Sequence, residues 1–330
     1  MSLRALNPFD WIPRGVVFRQ TFILFVFCLG VLYYLYPLIY TETFVWQYTT
    51  LGELIRPVYR EGCILPKTPD SSGQRKGRKL RIGLVMVYGM KQNQPGENTW
   101  SDDLMLPILQ NRKEYCNYHN YTMINAKDLV DITRPISWSK LIAMDHYLAT
   151  NKFDYLFYID MDIVIMNFSI PLEHFIEADN YEHDIILTHD WNGINFGVWL
   201  ARNTAWSRWF LQSAWNQTQL IPPYATNGIK HPFDYEQRAV HYLLDTQTWQ
   251  RTGLPSYPGD SADIRKHFQT YPQCAFNSYT LHPMDLRGNR DTAQYKQGDF
   301  LVHFAGKRGW KKLKLMQHYL KRVDKTKRPL

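Results

Sequence analysis

The sequence predicts an α/β domain built on a mainly parallel sheet and set behind an N-terminal membrane anchor. Three observations lead there. From Leu80 onward, apolar runs of strand length alternate with stretches of helical character. One of those runs ends on two aspartates spaced two apart, Asp160 and Asp162. And from Gln20 to Thr41 no side chain is charged, a stretch long enough to cross a bilayer as a helix.

The anchor comes first in the chain. Arg4, Arg14 and Arg19 precede the apolar run and Glu42 and Glu53 follow it, so the positive-inside rule places the N-terminus in the cytosol. Tyr33, Tyr34, Tyr36 and Tyr40 crowd its far end as an interfacial belt would. A cleaved signal peptide would need small residues at a cleavage site, and tyrosines and Pro37 stand there instead. The expected organisation is therefore a cytosolic tail (1–19), a single-pass type II anchor (20–41), a stem (42–78) and a luminal domain (79–330). The stem ends in the polar, Pro/Gly/Ser-containing KTPDSSGQRKGRK, which marks a linker.

Within the domain, Leu80–Tyr88 reads as a buried strand, followed by an amphipathic helix capped near Ser101. A strand is expected at Tyr121–Asn125, then a helix carrying Trp138 and Lys140, then the strand Asp154–Ile159 that runs into Asp160-Met161-Asp162. In such sheets ligands bind at the carboxyl ends of strands.

Bulk properties narrow the function classes. In 330 residues, a hydrophobic fraction of 45% is ample for one large core beside an appendage. The formal charge of +8 is uneven: Lys307 to Arg328 holds ten basic residues against the single Asp324, so the remainder is near neutral. That excludes the broadly basic surface of a nucleic-acid binder, and the tail reads as a solvated basic helix. The four cysteines, Cys28, Cys63, Cys116 and Cys274, show no CxxC spacing, which argues against a zinc site. With Cys28 in the apolar run, at most one intrachain pair forms among the other three.

The chemistry centres on Asp160 and Asp162. Side chains at i and i+2 of a strand point the same way, and two like charges that close repel unless a cation sits between them. A divalent ion such as Mn²⁺ or Mg²⁺ meets that need and also bridges a diphosphate. His303, where a strand reaches the bend Phe304-Ala305-Gly306-Lys307, is the candidate third ligand, with Lys307 or Arg308 beyond it to neutralise phosphate. A lone histidine at a strand end is more often structural. The segment His189–Gly197 follows an apolar strand and reads as too polar and glycine-rich for core; Asp190 and Asn195 are candidates for holding sugar hydroxyls. Phe233–Arg238 opens a helix, where Glu236 serves either the site or the helix dipole. Lys140 is either a donor contact or a surface lysine.

Taken in order, these segments resemble the retaining glycosyltransferases of family 34. The likeness covers nearly all of residues 80–320. It is carried by Asn111–Tyr121, Trp138-Ser-Lys140, Asp160-Met-Asp162, Asn195-Phe-Gly197 with Arg202-Asn203 and Trp206-Ser207, Glu236-Gln237, Asn277-Ser278-Tyr279, and Gly298–Gly306. The resemblance implies a GT-A (Rossmann-like nucleotide-sugar transferase) fold, a Golgi location and transfer of a hexose or pentose from a UDP- or GDP-sugar to a glycan acceptor. It implies Mn²⁺ (or Mg²⁺) on Asp160, Asp162 and His303, with Lys140, Asp160, Asn195, Gly306, Lys307 and Arg308 around the donor. Gln237, Glu236 and Asp190 become the catalytic candidates, Gln237 near the anomeric carbon. Front-face attack would need no protein nucleophile. Lys307 stands where many members have Cys, and Tyr235 where the plant enzymes have an acid. Partners implied are the nucleotide sugar, the glycan acceptor, the membrane, and a homo- or hetero-complex with other glycosyltransferases. A catalytically silent subunit of such a complex is the alternative, against which the intact Asp160/Asp162/His303 set argues.

Overall fold

The computed structural model describes residues 63, 65, 79–88, 102–190, 193–221, 236–246, 256–280, 293–307 and 309–326. The expected anchor, most of the stem and the cap at Ser101 lie outside them. Among the described residues no helix is long and apolar enough to cross a membrane.

In chain order the elements are β1 (Ile82–Met86), α1 (Asp102–His119), β2 (Thr122–Asn125), α2 (Ser139–Ala149), β3 (Tyr155–Ile159), β4 (Ile163–Ile165) and α3 (Glu173–Ala178). Then follow β5 (Ile185–Asp190), β6 (Gly193–Arg202), α4 (Ala205–Trp215), α5 (Gln237–Leu243), α6 (Ser261–Arg265), β7 (Phe268–Tyr271), β8 (Ser278–Tyr279), β9 (Leu301–His303) and α7 (Gly309–Leu320). The main sheet has the order β2-β1-β3-β6-β5-β7. Every residue of β1 and β3 is buried, as strands covered on both faces require.

The sheet is mainly parallel as expected, five of its six strands running one way, with β6 the exception. β1 pairs parallel with β2 and β3, and β5 with β7, but β6 runs antiparallel to both its neighbours. Only two residues separate β5 from β6, and so short a link permits a hairpin but no crossover. Gly193 opposes Asp190 at the hairpin end with φ of +104°, a backbone conformation suited to glycine. The segment expected to be too polar for core is therefore largely strand, and Phe196 within it is fully buried.

α2 and α4 contribute Leu141, Met144, Phe210 and Leu211 to one core with Phe196 and Trp199 of β6. Each such side chain contributes about 1.5–3 kcal/mol on burial. α4 starts at Thr204, whose hydroxyl accepts from the Ser207 amide at 3.1 Å. A second, three-stranded sheet has the order β4-β9-β8. In it His303 stands opposite Ile163 on one side and Tyr279 on the other.

The basic tail is not a solvated helix. Leu315, Met316 and Tyr319 of α7 are buried, so one face of the helix joins the core. Beyond it, the Phe168 amide donates to the Asp324 carbonyl at 2.9 Å and the Asp324 amide to the Met166 carbonyl at 2.7 Å, which ties the chain end to the segment after β4. Of the cysteine pairings the sequence left open, Cys63 bonds Cys274, closing 211 residues of chain, and Cys116 is a buried free thiol.

Candidate active site

The end of β3 and the pairing of β4 with β9 assemble the metal-type cluster. Asp160 follows β3, Asp162 precedes β4, and the register that sets Ile163 opposite His303 brings the imidazole to the same place. One ligand atom from each of Asp160, Asp162 and His303 lies within 4.8 Å of the others. His303 Nε2 is 3.4 Å from Asp162 Oδ1, while Nδ1 is 2.7 Å from Asn277 Oδ1. An amide oxygen can only accept, so Nδ1 carries the proton and Nε2 presents its lone pair to the carboxylates.

Gly197 makes room for an ion here. A Cβ at that position would lie 2.8 Å from Asp160 Oδ2, 2.9 Å from His303 Cε1 and 3.1 Å from Asn195 Oδ1. Two carboxylates, a neutral imidazole and a cradle that a methyl group would fill fit a hard divalent cation of the Mn²⁺ or Mg²⁺ type.

Behind Asp160 stands Lys140, which is 2% exposed and so no surface lysine. Its Nζ lies 2.6 Å from Glu236 Oε1 and 3.1 Å from Asp160 Oδ1, and it donates to the Phe196 carbonyl at 3.2 Å. Burial pulls the ammonium toward neutrality, but Asp160 and Glu236 outweigh it and hold its pKa above the ordinary value. The Tyr158 hydroxyl adds a 2.8 Å bond to Asp160 Oδ1. Glu236 makes no side-chain cap to α5; its charge is spent on Lys140.

A polar cluster adjoins the cradle. Asp190 Oδ2 accepts from the Tyr279 hydroxyl at 2.6 Å and from Asn195 Nδ2 at 2.9 Å. Asn195 Oδ1 in turn accepts from the Gly197 amide at 2.9 Å, so this cluster is bonded to the cradle itself. The Tyr279 ring meets His303 edge-on at 5.6 Å. Gln237, at the start of α5, accepts from the Phe196 amide at 2.9 Å.

After β9 the chain turns at Gly306, whose φ is +71° and where a Cβ would meet nothing within 4 Å: conformation, not space, calls for glycine. The Lys307 amide closes that turn onto the Phe304 carbonyl at 3.1 Å, and its side chain is nearly buried. Arg308 lies outside the described residues. Lys312 of α7 is a second cation at the cluster, 2.7 Å from Asp162 Oδ2. Burial would raise the Asp162 carboxyl, but the Lys312 ammonium opposes it, and the carboxyl is held well below the usual range. Lys312 carries no local signal among ten basic residues of the tail. Asn277 and Tyr279 belong to the family-like Asn277-Ser278-Tyr279, yet nothing local in the sequence assigns them to His303 and Asp190.

The family model of the galactosyl transferase GMA12/MNN10 family matches residues 81–183 and 172–313. Among curated proteins, galactomannan galactosyltransferase 1 of Cyamopsis tetragonoloba is 28% identical over 193 residues, 53% of this chain and 44% of that protein. Probable glycosyltransferase 6 of Oryza sativa subsp. indica is 30% identical over 193 residues, 54% of this chain and 40% of its own length. Probable xyloglucan 6-xylosyltransferase 1, from the same rice, is 27% identical over 194 residues, 56% and 40%. This chain thus spans less than half the length of these curated relatives. Among solved structures, a glycosyltransferase involved in glycosylation of the major capsid of PBCV-1 aligns with 72% of this chain and 98% of its own, at 14% identity and a TM-score of 0.47. A galactosyltransferase in complex with donor and acceptor sugar analogs aligns with 74% and 97%, at 11% identity and a TM-score of 0.35. With the family model spanning most of the described domain, the chain belongs to the galactosyl transferase GMA12/MNN10 family, glycosyltransferase family 34.

Proposed function

We propose that this chain is a retaining, metal-assisted glycosyltransferase of the GT-A type, moving a hexose or pentose from a UDP- or GDP-sugar to a glycan hydroxyl in the Golgi lumen. The observation that carries this reading is the convergence of Asp160, Asp162 and His303 on the space that Gly197 leaves open. Mn²⁺ or Mg²⁺ bound there would neutralise the diphosphate as it leaves.

The chain's own residues prepare that site. Asn277 holds His303 with Nε2 facing the carboxylates. Lys312 takes Oδ2 of Asp162 and leaves Oδ1 toward His303. Lys140 and Tyr158 fix Asp160. Asp190 and Tyr279 offer a polar wall suited to sugar hydroxyls, with Gln237 beside it on the Phe196 amide. The names of the relatives, a galactosyltransferase and a xylosyltransferase, favour a hexose or pentose donor. The Cys63–Cys274 disulfide favours an oxidising compartment, in keeping with a type II anchor at 20–41 and a luminal domain.

The test uses the whole chain in detergent, offered a panel of UDP- and GDP-sugars with Mn²⁺ or EDTA. Mn²⁺-dependent turnover of one donor is expected, abolished in Asp162→Asn. Folded protein that neither turns over nor binds any donor would defeat the enzyme reading in favour of a silent subunit.

A further inference from the structure

Arg112, in the middle of α1, is fully buried. A guanidinium withdrawn from water is costly unless its donors are matched, and its partners here are unusual. Nη2 donates to the main-chain carbonyl of Asp160 at 2.6 Å and to that of Ile163 at 3.1 Å. Nη1 faces the thioethers of Met161 at 3.2 Å and Met86 at 3.7 Å. Among the described residues Arg112 forms no ion pair with a carboxylate.

Its neighbour Asn111 grips the far end of the same segment. Asn111 Nδ2 donates to the Ile165 carbonyl at 2.9 Å, and Oδ1 accepts from the Ile165 amide at 3.0 Å. Two consecutive residues of α1 therefore hold the main chain at 160, 163 and 165. The other main-chain bonds of the turn run outward, from the Asp160 amide to the Gly197 carbonyl and from the Phe304 amide to the Asp162 carbonyl. The Asp160 and Ile163 carbonyls, which bracket the Asp162 side chain, both rest on one guanidinium.

We infer that Arg112 is a positioning residue of the metal site: it clamps the carbonyls of Asp160 and Ile163 and so sets the spacing of the two carboxylates that take the divalent ion. This rests on the metal-assisted reading above. Metal ligands must be held to about 0.5 Å, and a planar guanidinium whose Nη1 is seated on the Met161 and Met86 thioethers fixes Nη2 between the two carbonyls as a flexible ammonium would not. Charge supports the geometry. Burial pulls the guanidinium down to about 10, with Tyr158, Asp160 and Asp162 opposing, so it stays cationic beneath an acidic cluster.

The experiment titrates the full chain with Mn²⁺ alone, without donor, by calorimetry, and records the electron paramagnetic resonance spectrum of the bound ion. Wild type is compared with Arg112→Lys, which keeps the charge and loses the fork, and with Arg112→Gln. Arg112→Lys is expected to melt cooperatively yet bind Mn²⁺ about tenfold more weakly, with an altered zero-field splitting. Arg112→Gln should bind at least as weakly. A folded Arg112→Lys protein with the wild-type Kd and spectrum would overturn the inference. Should Arg112→Lys not fold, Met161→Leu replaces it, stripping the nearer thioether from the guanidinium. A loss of roughly two- to fivefold is expected there, smaller than for a ligand-orienting bond, and an unchanged Kd overturns the inference equally. Wild-type protein that fails to bind Mn²⁺ would instead sink the metal reading itself.

Discussion

Asn277 holds His303: Nδ1 of the imidazole lies 2.7 Å from the amide oxygen, in a pair buried on both sides. The bond fixes the tautomer that leaves Nε2 available to a metal. Asn277→Ala should fold and weaken Mn²⁺ binding about tenfold, measured by calorimetry. An unchanged affinity would mean that β9 alone orients the ring.

Gly197 makes a sharper prediction, because a single methyl group there invades the cluster. Gly197→Ala must displace Asp160, His303 or Asn195, each within 3.1 Å of the new Cβ. Overpacking of this kind costs about 1–3 kcal/mol, so the protein should remain folded by circular dichroism. Mn²⁺-dependent sugar release should fall at least about tenfold, since 1.4 kcal/mol is one decade in rate. Wild-type turnover would show that the cluster is looser than the geometry indicates.

The buried Lys140–Glu236 pair is expected to matter more when broken than when replaced. Lys140→Met alone leaves Glu236 and Asp160 without their cation and should destabilise the fold by about 3–5 kcal/mol in urea denaturation. Adding Glu236→Gln removes one of the stranded charges and should restore part of that loss. A double variant no more stable than Lys140→Met would mean that Asp160 dominates the pairing.

His241 of α5 ties stability to pH. It is buried, with Nε2 3.1 Å from the Ile194 carbonyl, and burial pulls its pKa down to about 4, against about 6.5 in the unfolded chain. Between those values the unfolded chain binds the extra proton. Stability is therefore full above about pH 6.5 and lost as pH falls toward 4, by about 3 kcal/mol if this group acts alone. His241→Gln should flatten that window in denaturant titrations at stepped pH. A slope unchanged by the substitution would assign the acid sensitivity elsewhere.

What the sequence determined by itself was local. The sequence put Asp160 and Asp162 at the end of an apolar strand, although they meet across the turn between β3 and β4 and not by strand alternation. The ordered motifs picked out His303, Lys140, Glu236, Asp190, Asn195 and Gln237 as candidates for one site. Those assignments need only short-range geometry or a likeness in motif order. The tertiary structure alone decided who touches whom. Antiparallel β6 followed from a two-residue link that looked like loop. Lys312 reached Asp162, 150 residues away, because the apolar face of α7 docks and turns one of many lysines inward. Lys140 was drawn between two carboxylates instead of facing solvent, and Arg112 was buried 48 residues before the carbonyl it holds. Such pairings depend on packing between distant segments, and composition and spacing do not encode which of several like residues will arrive.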